Sequence, residues 1–176
     1  MTKKRIKNLL IVNASNHYQA EANEAITSLT KEIDDFKVYH TANKNIQSCK
    51  GCYVCMLNTP GLCCINDEYQ GLFKLLLNYD HVVFVVDTSF GFLNHQAKNV
   101  IDRMFPLANI LLCYRNGSIR HLPRYQKSFY VSLLYTGDGN ENLLNHWMER
   151  FADNLNAHSY GAFHLSKAEE LKKCIQ

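Results

Sequence analysis

The sequence predicts an α/β fold in which a doubly wound, five-stranded parallel sheet, with strand order 2-1-3-4-5, carries helices on both faces. Segments with strand character alternate with helical segments five times along the chain, and parallel strands require such crossover helices. The run at residues 81–87 is almost wholly apolar, as expected of a strand that is buried on both sides. Because 176 residues, 47% of them apolar, can fill only one ordinary core, we expect one domain over residues 1–176.

The first half of the chain begins with a predicted strand at residues 7–13, a short apolar run that ends in polar turn residues. A helix at about residues 20–33 follows, because its apolar residues recur at helical spacing with charged residues between them. Residues 36–40 alternate well enough for a short strand at the sheet edge. A cysteine-rich loop comes next, at about residues 48–65, and we call it the cysteine loop.

The middle of the chain contains the third strand, between two helices. Asn and Asp at residues 66–67 can cap a helix that runs to about residue 77. The strand at residues 81–87 follows. A helix then begins at about residue 96, and we expect Pro106 to kink or restart it.

The last third of the chain completes the pattern. Residues 113–127 are expected to be irregular, with a turn signal in their Arg-Asn-Gly-Ser sequence. A fourth strand is predicted at residues 129–135, a helix at 143–155, a weaker fifth strand at 159–165 and a short closing helix at 167–174. These elements favour the flavodoxin-like arrangement of a doubly wound sheet.

Four of the seven cysteines fall in one short stretch with the spacing C-x2-C-x2-C-x7-C: Cys49, Cys52, Cys55 and Cys63. This spacing is typical of a metal site rather than of a disulfide framework. Three close thiolates and one distant thiolate favour a [4Fe-4S] cluster, whereas structural zinc usually takes its ligands from two separated pairs. Zinc and reduced, unliganded thiols are the alternatives, and Cys64 is an alternative fourth ligand.

Composition restricts location and partners. The apolar run at residues 9–12 is too short for the core of a signal peptide, and no segment approaches the roughly 20 apolar residues of a membrane-spanning helix. We therefore expect a cytoplasmic protein without a membrane partner. In the reducing cytoplasm its seven cysteines should stay reduced. The net charge of +3 is mild, and no nucleic-acid partner is expected.

Three loops should meet beyond the carboxyl ends of the strands, where an open α/β sheet binds its ligand. The first loop, residues 13–17, leads into the first helix, and its residues can hold a phosphate: Ser15, Asn16 and His17. The second loop offers aromatic and hydroxyl groups to a planar ring: Thr88, Ser89, Phe90, Gly91, Phe92, Leu93 and Asn94. The third loop consists of Tyr135, Thr136, Gly137, Asp138, Gly139 and Asn140, and its two glycines permit close approach of a ligand to the backbone. Ordinary turn chemistry is the alternative for each loop taken alone.

These residues together resemble the flavodoxin-like NAD(P)H-dependent FMN reductases, and within that family the iron-sulfur flavoproteins. The cysteine motif, with Asp67 shortly after it, is similar to the compact motif of the iron-sulfur flavoproteins. Residues 96–103, Gln-Ala-Lys-Asn-Val-Ile-Asp-Arg, resemble the family's Gln-Leu-Lys-x3-Asp-Arg helix, which follows its flavin-contacting loop. Ser15 stands at the position of the family's phosphate-binding serine.

The first loop departs from the family pattern at several positions. Ala14 replaces a glycine, and Asn16 and His17 replace Pro-Arg. Glu21 and Ala22 stand where the family usually has Asn-Thr at the phosphate. Because an acid close to a dianionic phosphate is unfavourable, the sequence predicts weaker FMN binding than in relatives.

The resemblance implies an FMN-dependent oxidoreductase or electron-transfer flavoprotein with a [4Fe-4S] cluster in the cysteine loop. Its donor would be NAD(P)H or a reduced protein, its acceptor a small molecule or protein, and its assembly a homodimer or homotetramer. No catalytic residue is assigned, because the cofactors carry the chemistry. One alternative is an NAD(P)H-dependent FMN or quinone reductase without a cluster. Another is a flavin-free zinc-binding or redox-sensing interaction domain.

Overall fold

The computed structural model describes residues 8–115 and 117–176. In chain order its elements are β1 (Leu9–Ala14), α1 (Gln19–Thr30), β2 (Phe36–His40), α2 (Val54–Leu57), α3 (Tyr69–Leu76), β3 (His81–Ser89), β4 (Phe92–Leu93), α4 (His95–Asp102), β5 (Ala108–Arg115), β6 (Ser118–Pro123), β7 (Tyr130–Thr136), α5 (Glu141–Leu155), β8 (His158–His164) and α6 (Ala168–Ile175). The predicted first strand also includes residue 7, which lies outside the described residues.

Five parallel strands form the central sheet in the order β2-β1-β3-β7-β8. This is the predicted 2-1-3-4-5 order, and the prediction is confirmed. The central strand β3 is buried along almost its whole length, as its apolar sequence requires. The two-residue strand β4, which was not predicted, turns back and pairs antiparallel with the carboxyl end of β3.

Two hydrophobic cores lie on opposite faces of the sheet, because successive side chains of a strand point to opposite sides. On one face Val82, Phe84 and Val86 of β3 pack beneath α3, α4 and α5. On the other face Val83 and Val85 pack against α1 and α6. The carboxyl ends of β1, β3 and β7 therefore lie between two helical layers. No helix of the described residues is long and apolar enough to cross a membrane.

The expectation of an irregular segment at residues 113–127 is wrong. Most of it belongs to the antiparallel hairpin of β5 and β6, in which Tyr114 pairs with Ile119 and Arg115 with Ser118. The hairpin is separate from the main sheet, and most of its large apolar side chains are exposed: Ile110, Leu111, Leu112, Tyr114 and Ile119. Because no core covers one face, the sequence lacks the alternation by which a half-buried strand is recognised.

Smaller differences concern helix boundaries. The helix α4 ends at Asp102, and Pro106 lies beyond it in a separate 3-10 turn, Phe105–Leu107, so the proline does not kink the helix. The helix α3 begins later than predicted, at Tyr69. Asp67 still contributes to its start, because Oδ1 of Asp67 accepts a hydrogen bond from the Tyr69 N–H at 3.1 Å. The short helix α2 in the cysteine loop was not predicted.

Candidate functional site

The second and third loops contact each other at the carboxyl edge of the sheet. The Thr88 hydroxyl donates a hydrogen bond to the Thr136 carbonyl at 2.6 Å, and the Asn140 N–H donates to the Gly91 carbonyl at 2.9 Å. Gly137 has a φ of +90°, and a Cβ at this position would lie only 3.0 Å from Oγ1 of Thr88. A glycine is therefore required where these two loops meet.

The carboxylate of Asp87 joins the first loop to β3. Its Oδ1 accepts a hydrogen bond from the Ser15 hydroxyl at 2.5 Å, and its Oδ2 accepts from the N–H groups of Asn16 and His17, both at 2.8 Å. Asp87 is 1% exposed. From the sequence, Asp87 was predicted only as the last residue of a strand, with no role in the site. The missed signal was a carboxyl group at the end of the most apolar strand, where the loops were expected to meet.

The phosphate of FMN does not fit the first loop as it is arranged here. N–H groups that lead into a helix are a natural binding site for an anion. Here they already hold the negative charge of Asp87, together with the Ser15 hydroxyl. A phosphate in the same place would compete for the same donors and repel the carboxylate by about 4 kcal/mol per pair of unit charges at 4 Å near a protein surface. The phosphate role of Ser15, Asn16 and His17 stays a prediction that requires Asp87 to leave.

Phe90 is the aromatic side chain that the second loop presents to solvent. The residue is fully exposed, and its backbone is left-handed, with a φ of +53°. This conformation is uncommon for a bulky residue. Phe92, by contrast, packs edge-on against Trp147, with ring centroids 5.5 Å apart. Asn94 has a structural role, because its side chain accepts a hydrogen bond from the Ala97 N–H and caps α4.

The third loop contributes less exposed side-chain surface than the sequence suggested. Tyr135 and Thr136 are buried, whereas Gly137 and Asp138 are exposed. Gly139 lies over the Tyr135 ring so closely that an added Cβ would be 2.5 Å from a ring carbon. The loop therefore offers mainly backbone groups to a ligand, and its glycines serve its packing.

A buried ion pair ties both ends of the cysteine loop to α4. The Arg103 guanidinium contacts the Asp67 carboxylate through two bonds, of 2.6 and 3.0 Å, and also donates to the carbonyls of Gln47 and Ile65. It lies over the ring of Tyr69, 4.6 Å from the centroid. Burial acts to raise the pKa of Asp67, but the hydrogen bonds from Arg103 and from two backbone N–H groups outweigh it and lower this pKa. Arg103, the arginine of the family-like Asp-Arg sequence at the end of α4, thus has a structural role, because it fixes the cysteine loop through Asp67.

The predicted metal ligands share one loop but differ in exposure: Cys55 is buried, Cys49 and Cys63 are half-buried, and Cys52 is exposed. Burial, and then the charges of the neighbouring thiolates, raise the pKa of Cys55. The thiol of Cys52 contacts that of Cys64, with 3.6 Å between the two sulfur atoms. Across residues 8–115 and 117–176, no group of three or more His, Cys, Asp or Glu side chains is arranged to hold a metal ion.

A cavity of about 470 Å³ lies away from the three loops, between α4, α5 and the hairpin. Its walls combine aromatic side chains, Tyr53, Phe105, Trp147 and Phe151, with aliphatic and charged ones. A smaller cavity of about 130 Å³ lies beside Asn16 at the carboxyl edge. This second volume is below the size of ordinary cofactor pockets.

No protein-family model matches the sequence, and no curated protein matches it. Solved structures do. An NAD(P)H:quinone oxidoreductase from Methanothermobacter marburgensis has a TM-score of 0.60 at 12% identity, over 96% of this chain and 95% of that one. RosB with bound 8-demethyl-8-formylriboflavin-5′-phosphate has a TM-score of 0.58 at 16% identity, over 89% of this chain and 64% of that one. A flavone reductase has a TM-score of 0.54 at 12% identity, over 94% of this chain and 60% of that one.

The chain thus spans less than two thirds of the length of RosB and of the flavone reductase, and nearly all of the quinone oxidoreductase. At these identities the likeness shows the fold. The chain has the flavodoxin-like α/β fold, as predicted, and shares it with structures whose names refer to flavin, quinone and flavone chemistry.

Proposed function

We propose that the protein is an NAD(P)H-dependent oxidoreductase that reduces flavins or quinones at the carboxyl edge of the sheet. The observation that carries this proposal is Phe90, whose ring is fully exposed on a left-handed backbone directly after the buried part of β3. An exposed phenylalanine ring and a strained backbone are each unfavourable, and strain of this kind is concentrated at functional sites. A planar aromatic ligand stacked on the ring would offset both costs. The flavin and quinone names of structures with the same fold support the choice of ligand.

The reaction moves a hydride from NAD(P)H and a proton from water to the acceptor, giving NAD(P)⁺ and a dihydroflavin or a hydroquinone. The chain's part is to hold two planar rings together, through Phe90 and the backbone groups of the second and third loops. No acid or base of the protein is required. FMN, which the sequence predicts as a bound cofactor, would supply two-electron and one-electron chemistry when bound.

A form of this enzyme with a [4Fe-4S] cluster has less support than the form without one. The thiols of Cys49, Cys52, Cys55 and Cys63 share one loop above the cation of Arg103, but they do not form a ligand group as placed. Iron and acid-labile sulfide assays on protein purified without oxygen separate the two forms. Stoichiometric iron and sulfide, lost on Cys52→Ser, would establish the cluster. Zinc has the same lack of support, while the contact between Cys52 and Cys64 favours thiol redox chemistry.

The hairpin supports a homodimer, one of the two predicted assemblies, a homodimer or a homotetramer. Leu112, Tyr114 and Ile119 share one face of β5 and β6 and are all exposed. A two-stranded hairpin is marginal on its own and needs a covering surface. A second copy related by a two-fold axis would provide the same three side chains in return, which makes this face self-complementary. A cytoplasmic location stays a prediction.

The proposed site is tested by titrating riboflavin and a soluble quinone into the protein and following the quenching of flavin or intrinsic fluorescence. We expect saturable binding that Phe90→Ala weakens by about two- to tenfold, since an aromatic pair contributes roughly 0.5–1.5 kcal/mol. Phe36→Ala is the matched control, because Phe36 is also exposed but begins β2 at the opposite edge of the sheet. Absence of binding, or equal effects of the two variants, would contradict the proposal.

A further inference from the structure

We propose that Asp87 is an internal substitute for a flavin phosphate, so that the site takes a flavin without the 5′-phosphate, such as riboflavin, in preference to FMN. This inference rests on the proposed function and names the flavin that the same site would accept. It makes Asp87 a residue that determines specificity by exclusion.

The first step is the hydrogen bonding of the first loop. Three donors at the start of this loop point to one carboxylate: the Ser15 hydroxyl and the N–H groups of Asn16 and His17. Short bonds from backbone N–H groups to a charged acceptor are the arrangement by which helix-leading loops bind phosphate. In this chain the acceptor is Asp87. The anion site is therefore present, and its anion is part of the protein.

The second step is that Asp87 is held in place. Its backbone pairs with Thr136 of β7, and its carbonyl accepts a hydrogen bond from the Asn94 N–H at 3.1 Å. The side chain is short and almost wholly buried. Because the main chain is fixed on both sides, the carboxylate cannot leave the loop donors without losing its hydrogen bonds inside the protein, which is strongly unfavourable for a charge.

The third step is charge. No lysine or arginine in the described parts of the chain forms an ion pair with Asp87, so the loop donors alone balance its carboxylate. Glu21, in the first turn of α1, adds another negative charge close to the same loop. A phosphate dianion at this loop would meet the Asp87 carboxylate and three donors that this carboxylate already engages. The neutral terminal hydroxyl of riboflavin needs no anion site and meets no such repulsion.

The test compares the dissociation constants of riboflavin and FMN for the wild-type protein, Asp87→Asn and Asp87→Ser, measured by quenching of flavin fluorescence. We expect the wild type to bind riboflavin at least about tenfold more tightly than FMN. Both variants should tighten FMN binding by about tenfold or more and change riboflavin binding by less than about threefold, because they remove the charge that occupies the donors. Glu24→Gln, an exposed position on α1, is the control for a general change of charge and should leave the ratio unchanged.

The outcomes separate this inference from the proposed function. If the wild type binds FMN as tightly as riboflavin, or if both Asp87 variants keep the wild-type ratio, the inference fails and the proposed function survives. If neither flavin binds to any of the proteins, both fail. Two different substitutions of Asp87 are used so that failure of one variant to fold does not prevent the test, and equal affinities of the wild type for the two flavins overturn the inference without any variant.

Discussion

Arg103 and Asp67 form a buried, bidentate ion pair, in which Nη1 of Arg103 lies 2.6 Å from Oδ2 of Asp67 and Nη2 lies 3.0 Å from Oδ1. The two side chains are 0% and 2% exposed. The same guanidinium donates to the carbonyls of Gln47 and Ile65, and the Gln47 N–H donates to Asp67 at 2.9 Å. One ion pair therefore closes the cysteine loop at both ends and fixes it to α4.

Removal of the arginine should destabilise the protein severely. In Arg103→Leu, Asp67 would remain buried without its partner, and we expect the free energy of unfolding to fall by about 3–5 kcal/mol. Urea denaturation measures this loss. The control is Lys98→Leu on the same helix, because Lys98 pairs with Asp102 on the surface at 2.7 Å and should contribute less than about 1 kcal/mol. Equal losses in the two variants would show that the buried ion pair has no special role.

Mild oxidation should join Cys52 to Cys64. The two sulfur atoms are 3.6 Å apart and both residues are exposed, and hydrogen bonds from the Val54 backbone and from Cys64 lower the pKa of Cys52. Treatment with an oxidised disulfide reagent would pass two electrons and two protons from the thiols to the reagent and leave a Cys52–Cys64 disulfide. Peptide mapping by mass spectrometry should find this link. Cys52→Ser should abolish it and Cys113→Ser should not; a random mixture of pairings would count against the arrangement.

Stability should fall in mild acid because of His81. This residue is wholly buried, its Nε2 lies 2.8 Å from the Ser132 hydroxyl, and burial lowers its pKa from 6.5 to about 3. Between these values the unfolded chain binds a proton that the folded chain does not. The free energy of unfolding should therefore decrease as the pH falls from 6.5 towards 3, by up to about 1.4 kcal/mol per pH unit from this residue, and this loss should be absent above pH 6.5.

His81→Gln tests this assignment, because an amide can still bond to Ser132 but does not titrate in this range. Urea denaturation at a series of pH values should show a shallower pH dependence for His81→Gln than for the wild type. His146→Gln, at an exposed position on α5, should keep the wild-type slope. If the two variants had the same slope, another group would be responsible for the acid sensitivity.

A charge on the hairpin face should dissociate the proposed dimer. Ile119→Glu would place a carboxylate between apolar side chains of two copies, and we expect the dissociation constant to rise by about tenfold or more. Analytical ultracentrifugation measures it. Lys173→Gln changes the net charge by the same amount, one unit more negative, at an exposed position of α6 and is the control. A wild-type protein that stays monomeric at high concentration would exclude this role for the hairpin.

The parts of the fold with a buried face could be predicted from sequence, and the parts without one could not. Burial produces a recognisable apolar pattern in the sequence. It accounts for the apolar run around Val83 and Val85 and for the helical periodicity of α1 and α5. The packed face of the hairpin is polar, since Arg115 and Arg120 bond to the end of α5, and its other face is exposed, so no apolar alternation marks it. The sequence at residues 113–127 therefore looked irregular although most of it forms a hairpin.

The location of the site could be predicted from the sequence, but the contacts within it could not. The topology brings the three loops to one edge, so Ser15 and Phe90 could be selected from sequence alone. The bond between Ser15 and Asp87 joins residues 72 positions apart in the chain, and no local pattern encodes it. The same holds for Arg103, which sequence showed only as part of a motif and which the structure places beneath the cysteine loop.

The most direct test of the proposed function is the anaerobic oxidation of NADH and NADPH with riboflavin or a soluble quinone as acceptor, followed by ultraviolet absorbance. We expect at least one nucleotide to be consumed in a one-to-one ratio with acceptor reduced. The kcat/KM for riboflavin should be lower by about two- to tenfold in Phe90→Ala and unchanged in Phe36→Ala. No oxidation of either nucleotide with any of these acceptors, or full activity in Phe90→Ala, would contradict the proposed function at this edge of the sheet.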